Sequence, residues 1–186
     1  MTVFDIIRLV LFIAATAFVI FISWRTIFNI RSHGFFRFIA WEAIIALIIY
    51  NLPHWFSEPF SARQLISWMF LIVSLYALWQ GVSRLRVAKR TGSRSENELY
   101  DFERTSQLIT SGIYQYIRHP LYASLLYLAW GAFLKDITWI SVSLVLVASI
   151  ALIATAKADE NECIQYFGDR YKEYMEGTKR FIPYIF

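Results

Sequence analysis

Cysteine and charge are what this chain of 186 residues has least of. Its one cysteine, Cys163, rules out a disulfide framework and fits a reducing compartment. Charged residues make up 17% of the chain, against about 25% in an average soluble domain, and a chain so lightly charged is not a disordered one. The 3 histidines are scattered and make no metal-ligand spacing with the lone cysteine, so no metal is expected. A phosphate-cradling glycine loop, an internal repeat and a lipidation box are all missing. What remains is 58% apolar and 18% aromatic, more apolar surface than a domain of this size can hide from water. The expected class is an all-α integral membrane protein. The net charge of +4 then reads as basic loops beside membrane spans, and no nucleic-acid partner is expected.

Hydropathy divides the chain into five predicted spans, over 6–24, 38–55, 65–82, 119–134 and 137–158, within a single membrane domain covering 1–186. Ala15-Thr16-Ala17 resembles a signal-peptidase site, but the apolar run continues past it and no basic region precedes it, so the first span reads as uncleaved. Glu42 interrupts the second span and reads as a helix-packing group. The fourth apolar run, 121–134, is short. At 1.5 Å per residue, 14 residues cover about 21 Å of a roughly 30 Å hydrocarbon core. Its helix is expected to start below the membrane boundary, inside protein or a wet cavity, because free backbone groups cannot face lipid. Only Lys135-Asp136 separates this run from the fifth span, which predicts a tight helical hairpin.

Loop charge predicts the orientation. Arg25, Arg31 and Arg37 follow the first span without an acid, and seven Lys/Arg fall between Arg84 and Arg118. Five spans with the N-terminus outside place both basic loops and the C-terminal tail in the cytosol. The two segments rich in polar groups, about 84–118 and 157–186, therefore share one side.

Two clusters in those segments carry residues capable of chemistry. The first runs from Leu108 through Gly112 and Tyr114 to Arg118-His119-Pro120-Leu121-Tyr122, where charge and aromatics crowd the start of the short helix. A helix N-terminus attracts anions, and His119 and Tyr122, three apart, share one face. From spacing alone, headgroup anchoring and a ligand site both remain open. The second cluster, Asp159-Glu160-Asn161-Glu162, extends the fifth helix beyond the bilayer and by itself reads as a solvated helix end. Phe167, Tyr171 and Tyr174 follow at amphipathic spacing, suited either to packing the tail on the hairpin or to lying on lipid.

Taken together, the ordered set Leu108-Ile109-x-x-Gly112-Ile113-Tyr114-x-x-x-Arg118-His119-Pro120-x-Tyr122, then Asp159-Glu160, Phe167-Gly168-x-x-Tyr171-x-x-Tyr174 and Arg180-Phe181-Ile182-Pro183, resembles the isoprenylcysteine carboxyl methyltransferase family, which merges with membrane phospholipid N-methyltransferases. The resemblance covers about residues 104–183. It implies an S-adenosylmethionine-dependent methyltransferase, releasing S-adenosylhomocysteine, with a cytosolic cofactor pocket and a hydrophobic or lipid-linked acceptor drawn from the bilayer. By motif, Gln107, Leu108, Ile109 and Tyr114 would line the cofactor. His119, Pro120, Leu121 and Tyr122 would contact its methionine or ribose part. Asp159 and Glu160, where the family has Glu-Glu, would sit near its ammonium. The arginine that prenylcysteine enzymes carry one turn before the acidic pair is Thr155 here, which leaves Lys157 and Arg118 as the cations for the acceptor. Phospholipid N-methylation and a non-catalytic membrane protein of the same fold are the alternatives.

Overall fold

The computed structural model of the protein describes residues 2–24, 26–29, 32–89 and 108–186. Among these it is helical, without a β-strand. The helices are α1 (Val3–Ser23), α2 (His33–Tyr50), α3 (Ala62–Lys89), α4 (Pro120–Phe133), α5 (Trp139–Phe167) and α6 (Asp169–Gly177), with short 3₁₀ turns at Leu52–His54 and Gly112–Gln115. Four of them, α1, α2, α3 and α5, are long and apolar enough to cross a membrane, and α4 is the shorter apolar helix between them. The all-α membrane fold expected from composition is the fold the chain has. Local signals set the helix starts. The Thr2 and Thr138 hydroxyls each accept the amide three residues on, as does Ser32 at the start of α2. Gly168, at φ 65, ends α5 where an L side chain would be strained.

Packing sorts the helices by exposure. α1 touches mainly α2 and turns Ile13, Phe18 and Phe21 outward, as a lipid-facing helix does. Arg8 lies inside α1 but donates to the carbonyls of Ile49 and Tyr50, both at 2.9 Å, so it answers the open C-terminal end of α2. Glu42 accepts the Thr16 hydroxyl at 2.8 Å, joining α1 to α2.

α3 and α4 form a close antiparallel seam. Ser67 donates to the Gly131 carbonyl and Ser74 to the Ser124 carbonyl, both at 2.7 Å. A Cβ on Gly131 would lie 2.8 Å from the Leu71 side chain, and one on Gly81 2.9 Å from Leu121. Ser67, Ser74 and Gly81 recur every seven residues on α3. Small residues at that spacing let two backbones approach where no hydrophobic force drives helix association. α3 continues to Lys89, past the apolar run that ends at 82, so Arg84 and Arg86 belong to a helix and not to a loop.

α2 packs chiefly on α5. His33, at the start of α2, meets Glu162 near the end of α5, while Asn51, just past α2, reaches the Asp136 carbonyl before α5 at 3.1 Å. The two helices are therefore antiparallel, with Arg37 level with the polar end of α5.

Candidate functional site

The polar ends of α2 and α5, the start of α4 and the C-terminal tail converge on one place. Gly112 opens the approach. Its φ is +67, a backbone conformation that favours glycine, and the Arg84 side chain lies over it. The chain then buries Tyr114 and reaches Arg118-His119-Pro120. Pro120 occupies the first position of α4, where a missing N–H costs nothing. Just upstream, the tail returns as a short bridge: Lys179 donates to the Tyr116 carbonyl at 3.0 Å, Arg118 to that of Lys179 at 2.8 Å, and His119 to that of Arg180 at 3.2 Å. Protein thus satisfies the backbone at the foot of a helix too short to reach the membrane surface. Among the described residues, no side chain caps the first turn of α4.

Glu160 is the hub of the cluster. Its Oε1 accepts Arg118 Nε at 3.0 Å and Nη2 at 2.9 Å, and Arg180 Nε at 3.1 Å. Its Oε2 accepts Arg180 Nη2 at 2.7 Å, and His119 Nε2 lies 3.3 Å from Oε1. Arg118 also donates to the carbonyls of Thr178 and Met175. The side chains of Arg118 and Glu160 are 8% and 6% exposed, so this is a buried ion pair and not a surface one. Its geometry ties the start of α4, the end of α5 and the tail together.

Asp159 is placed differently. Its side chain is 19% exposed, and its Oδ2 is 3.4 Å from His119 Nδ1. Between the two carboxylates, the His119 ring stacks on Tyr122 at 5.4 Å and meets Phe181 edge-on at 6.4 Å. Leu108 and Ile109 are half-buried, and Pro120 is buried. The structure therefore brings together Tyr114, Arg118, His119, Pro120, Tyr122, Asp159 and Glu160. Lys157 lies apart, exposed on α5. Thr155 is buried and turns its hydroxyl to the Ala151 carbonyl at 2.8 Å. Gln107 falls outside the described residues, as does the segment 91–106.

The tail closes the cluster with aromatics. Phe167 and Tyr171 stack at 6.4 Å, Tyr171 meets Tyr174 at 5.8 Å, and the Tyr174 hydroxyl donates to the Tyr114 carbonyl at 2.6 Å. Of the two uses open to this stripe, the structure adopts packing on the protein. Burial pushes the Tyr171 phenol far above its ordinary pKa, helped by the neighbouring Cys163, Asp159 and Glu160. Burial likewise pushes up that of Tyr174.

Beside the cluster lies a cavity of about 390 Å³ between α2, α3 and α4, within the range of small-molecule sites. Arg37, Leu121 and Tyr122 line it toward the cluster, and Trp55 and Trp68 line it toward the opposite face.

Sequence reasoning passed over three participants. Arg180 appears in it only as the close of a motif, Arg37 only as loop charge, and His33 only as a stray histidine. Yet His33 is fully buried, with Nδ1 2.6 Å from Glu162 Oε2, and His33, Asp159 and Glu162 gather within 4.8 Å of one another. No spacing rule finds a pair separated by 129 positions.

Residues 63–170 match the family model described as phospholipid methyltransferase. No curated protein and no solved structure matches the chain.

Proposed function

The chain belongs to the phospholipid methyltransferase family, and from that premise we propose that it is an S-adenosylmethionine-dependent membrane methyltransferase acting on a lipophilic acceptor, like the isoprenylcysteine carboxyl methyltransferases. The observation that carries the reading is the placement of Asp159, His119 and Tyr122 around the uncapped start of α4, inside the matched segment.

The chemistry of these donors fits the cofactor. A helix N-terminus without a side-chain cap offers free amides to a carboxylate. Asp159, part-exposed and 3.4 Å from the His119 ring nitrogen, suits an ammonium. The stacked faces of His119 and Tyr122, with half-buried Leu108 and Ile109 and buried Tyr114, suit the adenosine part. Glu160 takes another role here. With two guanidinium groups already on it, it is a positioning residue that fixes Arg118, His119 and the tail. When bound, the cofactor supplies a methyl already activated on a sulfonium, so that transfer breaks one carbon–sulfur bond and forms one bond to the acceptor heteroatom.

The protein's own part is then orientation and exclusion of water. The tail bridge and the Phe167-Tyr171-Tyr174 stripe cover the cluster, and the cavity beside Tyr122 gives the acceptor an apolar berth. No metal is required. The proposal places the N-terminus outside and the site on the cytosolic side, following loop charge. Phospholipid N-methylation is the second reading, favoured by the family description itself.

The test is calorimetric titration of the detergent-purified protein with S-adenosylmethionine. The expected affinity is micromolar, about −8 kcal/mol. Labelled cofactor is then incubated with total lipid, thiols and prenylcysteine analogues. Labelling of an analogue or a thiol supports the first reading, and labelling of an amine lipid alone supports the second. A folded protein that binds no cofactor and transfers no methyl is the non-catalytic alternative, and both readings fall.

A further inference from the structure

The tail that crosses the foot of α4 continues past it. Its bridge with Ile117 is parallel, so from Lys179 the tail runs in the direction that α4 takes into the membrane. Tyr127, about two turns into α4, donates its hydroxyl to the Phe181 carbonyl at 3.3 Å. α3 gives the depth. Gly81 faces Pro120 and Leu121, close to the end of the apolar run at 82, and Arg84 and Arg86 lie beyond it. The start of α4 is therefore level with the edge of the hydrocarbon core, and the tail turns beside it. Charge follows the same line. Lys179 and Arg180 are succeeded by Phe181-Ile182-Pro183-Tyr184-Ile185-Phe186, without a charged side chain.

The turn meets two demands of that setting. Backbone groups at the edge of lipid need partners within the protein. Phe181 and Ile182 donate their amides to the Phe186 oxygen at 2.7 and 2.6 Å, and Ile185 and Phe186 donate theirs to the Ile182 carbonyl at 3.2 and 3.1 Å. Pro183 has no N–H to place. The side chains, by contrast, point outward. Phe181 is buried, with its ring edge-on to His119, but Tyr184 is 80% and Ile185 75% exposed, and Tyr116 and Phe186 are exposed beside them. The Tyr184 ring meets Tyr116 at 5.9 Å, and the Arg180 guanidinium lies 5.5 Å over the Phe186 ring. Tyr184 holds φ 65, where a glycine would be unstrained, so an exposed aromatic ring is kept at a backbone cost. Water gives no return for that ring. The headgroup boundary does, because it takes up amphipathic rings with basic residues behind them.

We propose that residues 182–186 form a membrane-inserted turn, seated between acyl chains and headgroups in the leaflet on the side of the site, and that lipid thereby holds the tail across the foot of α4. The carbonyls of Lys179 and Arg180 accept the amides of Arg118 and His119, and the Arg180 guanidinium grips Glu160, so a turn fixed in lipid steadies the whole cluster. Neither insertion nor bracing depends on the methyltransferase reading, and both are tested without cofactor.

Full-length Cys163→Ser protein, in nanodiscs of phosphatidylcholine and phosphatidylglycerol, carries a nitroxide at Tyr184→Cys or Ile185→Cys. Ile72→Cys, on the outward face of α3, is the lipid reference, and Lys172→Cys, on α6, is the water reference. The ratio of collisions with oxygen, which partitions into lipid, to collisions with a water-soluble nickel chelate is then measured. It is expected to be at least about threefold higher at 184 and 185 than at 172, and below the value at 72. Ratios at 184 and 185 equal to that at 172 overturn the insertion. Unlabelled Ile185→Asp, which sets a charge in the boundary, is digested with trypsin in the same nanodiscs. Cleavage after Lys179 and Arg180 is expected to quicken roughly threefold or more over wild type. An unchanged rate overturns the bracing. If the variants do not fold, unmodified protein is photolabelled by phosphatidylcholine bearing a diazirine near the glycerol end of one acyl chain. Adducts on the peptide 181–186 are expected, and their absence while α3 is labelled overturns the proposal.

Discussion

At its N-terminal end α4 starts among two arginines, a histidine and two carboxylates. At its C-terminal end it stops against Lys135, a fully buried cation whose Nζ donates to Gln64 Oε1 at 3.0 Å and lies 3.7 Å from the centre of the Trp68 ring. The last carbonyls there accept Arg63 and Asn51. Both ends thus bury charge. They differ in what answers the charge. The far end surrounds its cation with a neutral amide and aromatic faces. The near end uses opposite charges in surplus, one carboxylate saturated by arginines and another part-exposed, and that surplus suits a charged ligand.

The comparison breaks most visibly at Glu160. Glu160→Gln strands Arg118 and Arg180 in a buried setting, with an expected loss of about 3–5 kcal/mol, read as a fall in melting temperature in detergent and faster proteolysis of the tail. At the other end, Lys135→Met exchanges a buried cation for an apolar chain of similar length, and forfeits about 2 kcal/mol of cation–π attraction while removing a desolvation cost. Its melting temperature is expected to move far less than that of Glu160→Gln, with cofactor affinity unchanged. Equal losses in the two variants would erase the contrast.

Gly131→Ala tests the seam between the ends. The added methyl meets Leu71 at 2.8 Å, and overpacking of that kind costs about 1–3 kcal/mol, again read by thermal melting. Asp159→Asn sharpens the division of labour between the acids. It is expected to weaken S-adenosylmethionine binding roughly tenfold or more by calorimetry, the worth of a charge-assisted hydrogen bond, while changing stability less than Glu160→Gln does. The reverse ranking would make Glu160 the ligand and Asp159 the brace.

The smallest effect is one of pH. Tyr171 and Tyr174 have raised pKa values in the folded protein, so the unfolded chain releases their protons first. Stability is therefore intact below the ordinary tyrosine pKa of about 10 and falls as pH rises beyond it. Ultraviolet titration should show two phenols that ionise only on unfolding.

Much of this architecture was legible beforehand. The apolar runs became helices because a chain in lipid must satisfy its backbone within each segment, so hydropathy suffices to find them. The shortness of the fourth run implied a helix starting inside protein, and its start lies against the tail. The tight hairpin was also visible, although Lys135 reads there as turn polarity and is wholly buried. Boundaries were less legible where polar residues continue a helix, as beyond 82 in α3.

The candidate site was legible as two clusters of residue types but not as an arrangement. That Glu160 is saturated while Asp159 is not depends on Arg118 and Arg180, 42 and 20 positions away. The two adjacent acids point to different sides of α5, so Glu160 meets two guanidinium groups while Asp159 meets an imidazole nitrogen and the Cys163 thiol.

By itself, then, the sequence determined the solvent this chain folds in, the order of its apolar helices and its family, because each follows from composition, run length and local motif. Only the tertiary structure decided which acid is occupied, that Lys157 stands apart, and that Arg37 from the facing helix lines the cavity. Those depend on antiparallel packing that sets residues far apart in the chain a few ångströms from one another, where charge is strongest and sequence distance says nothing.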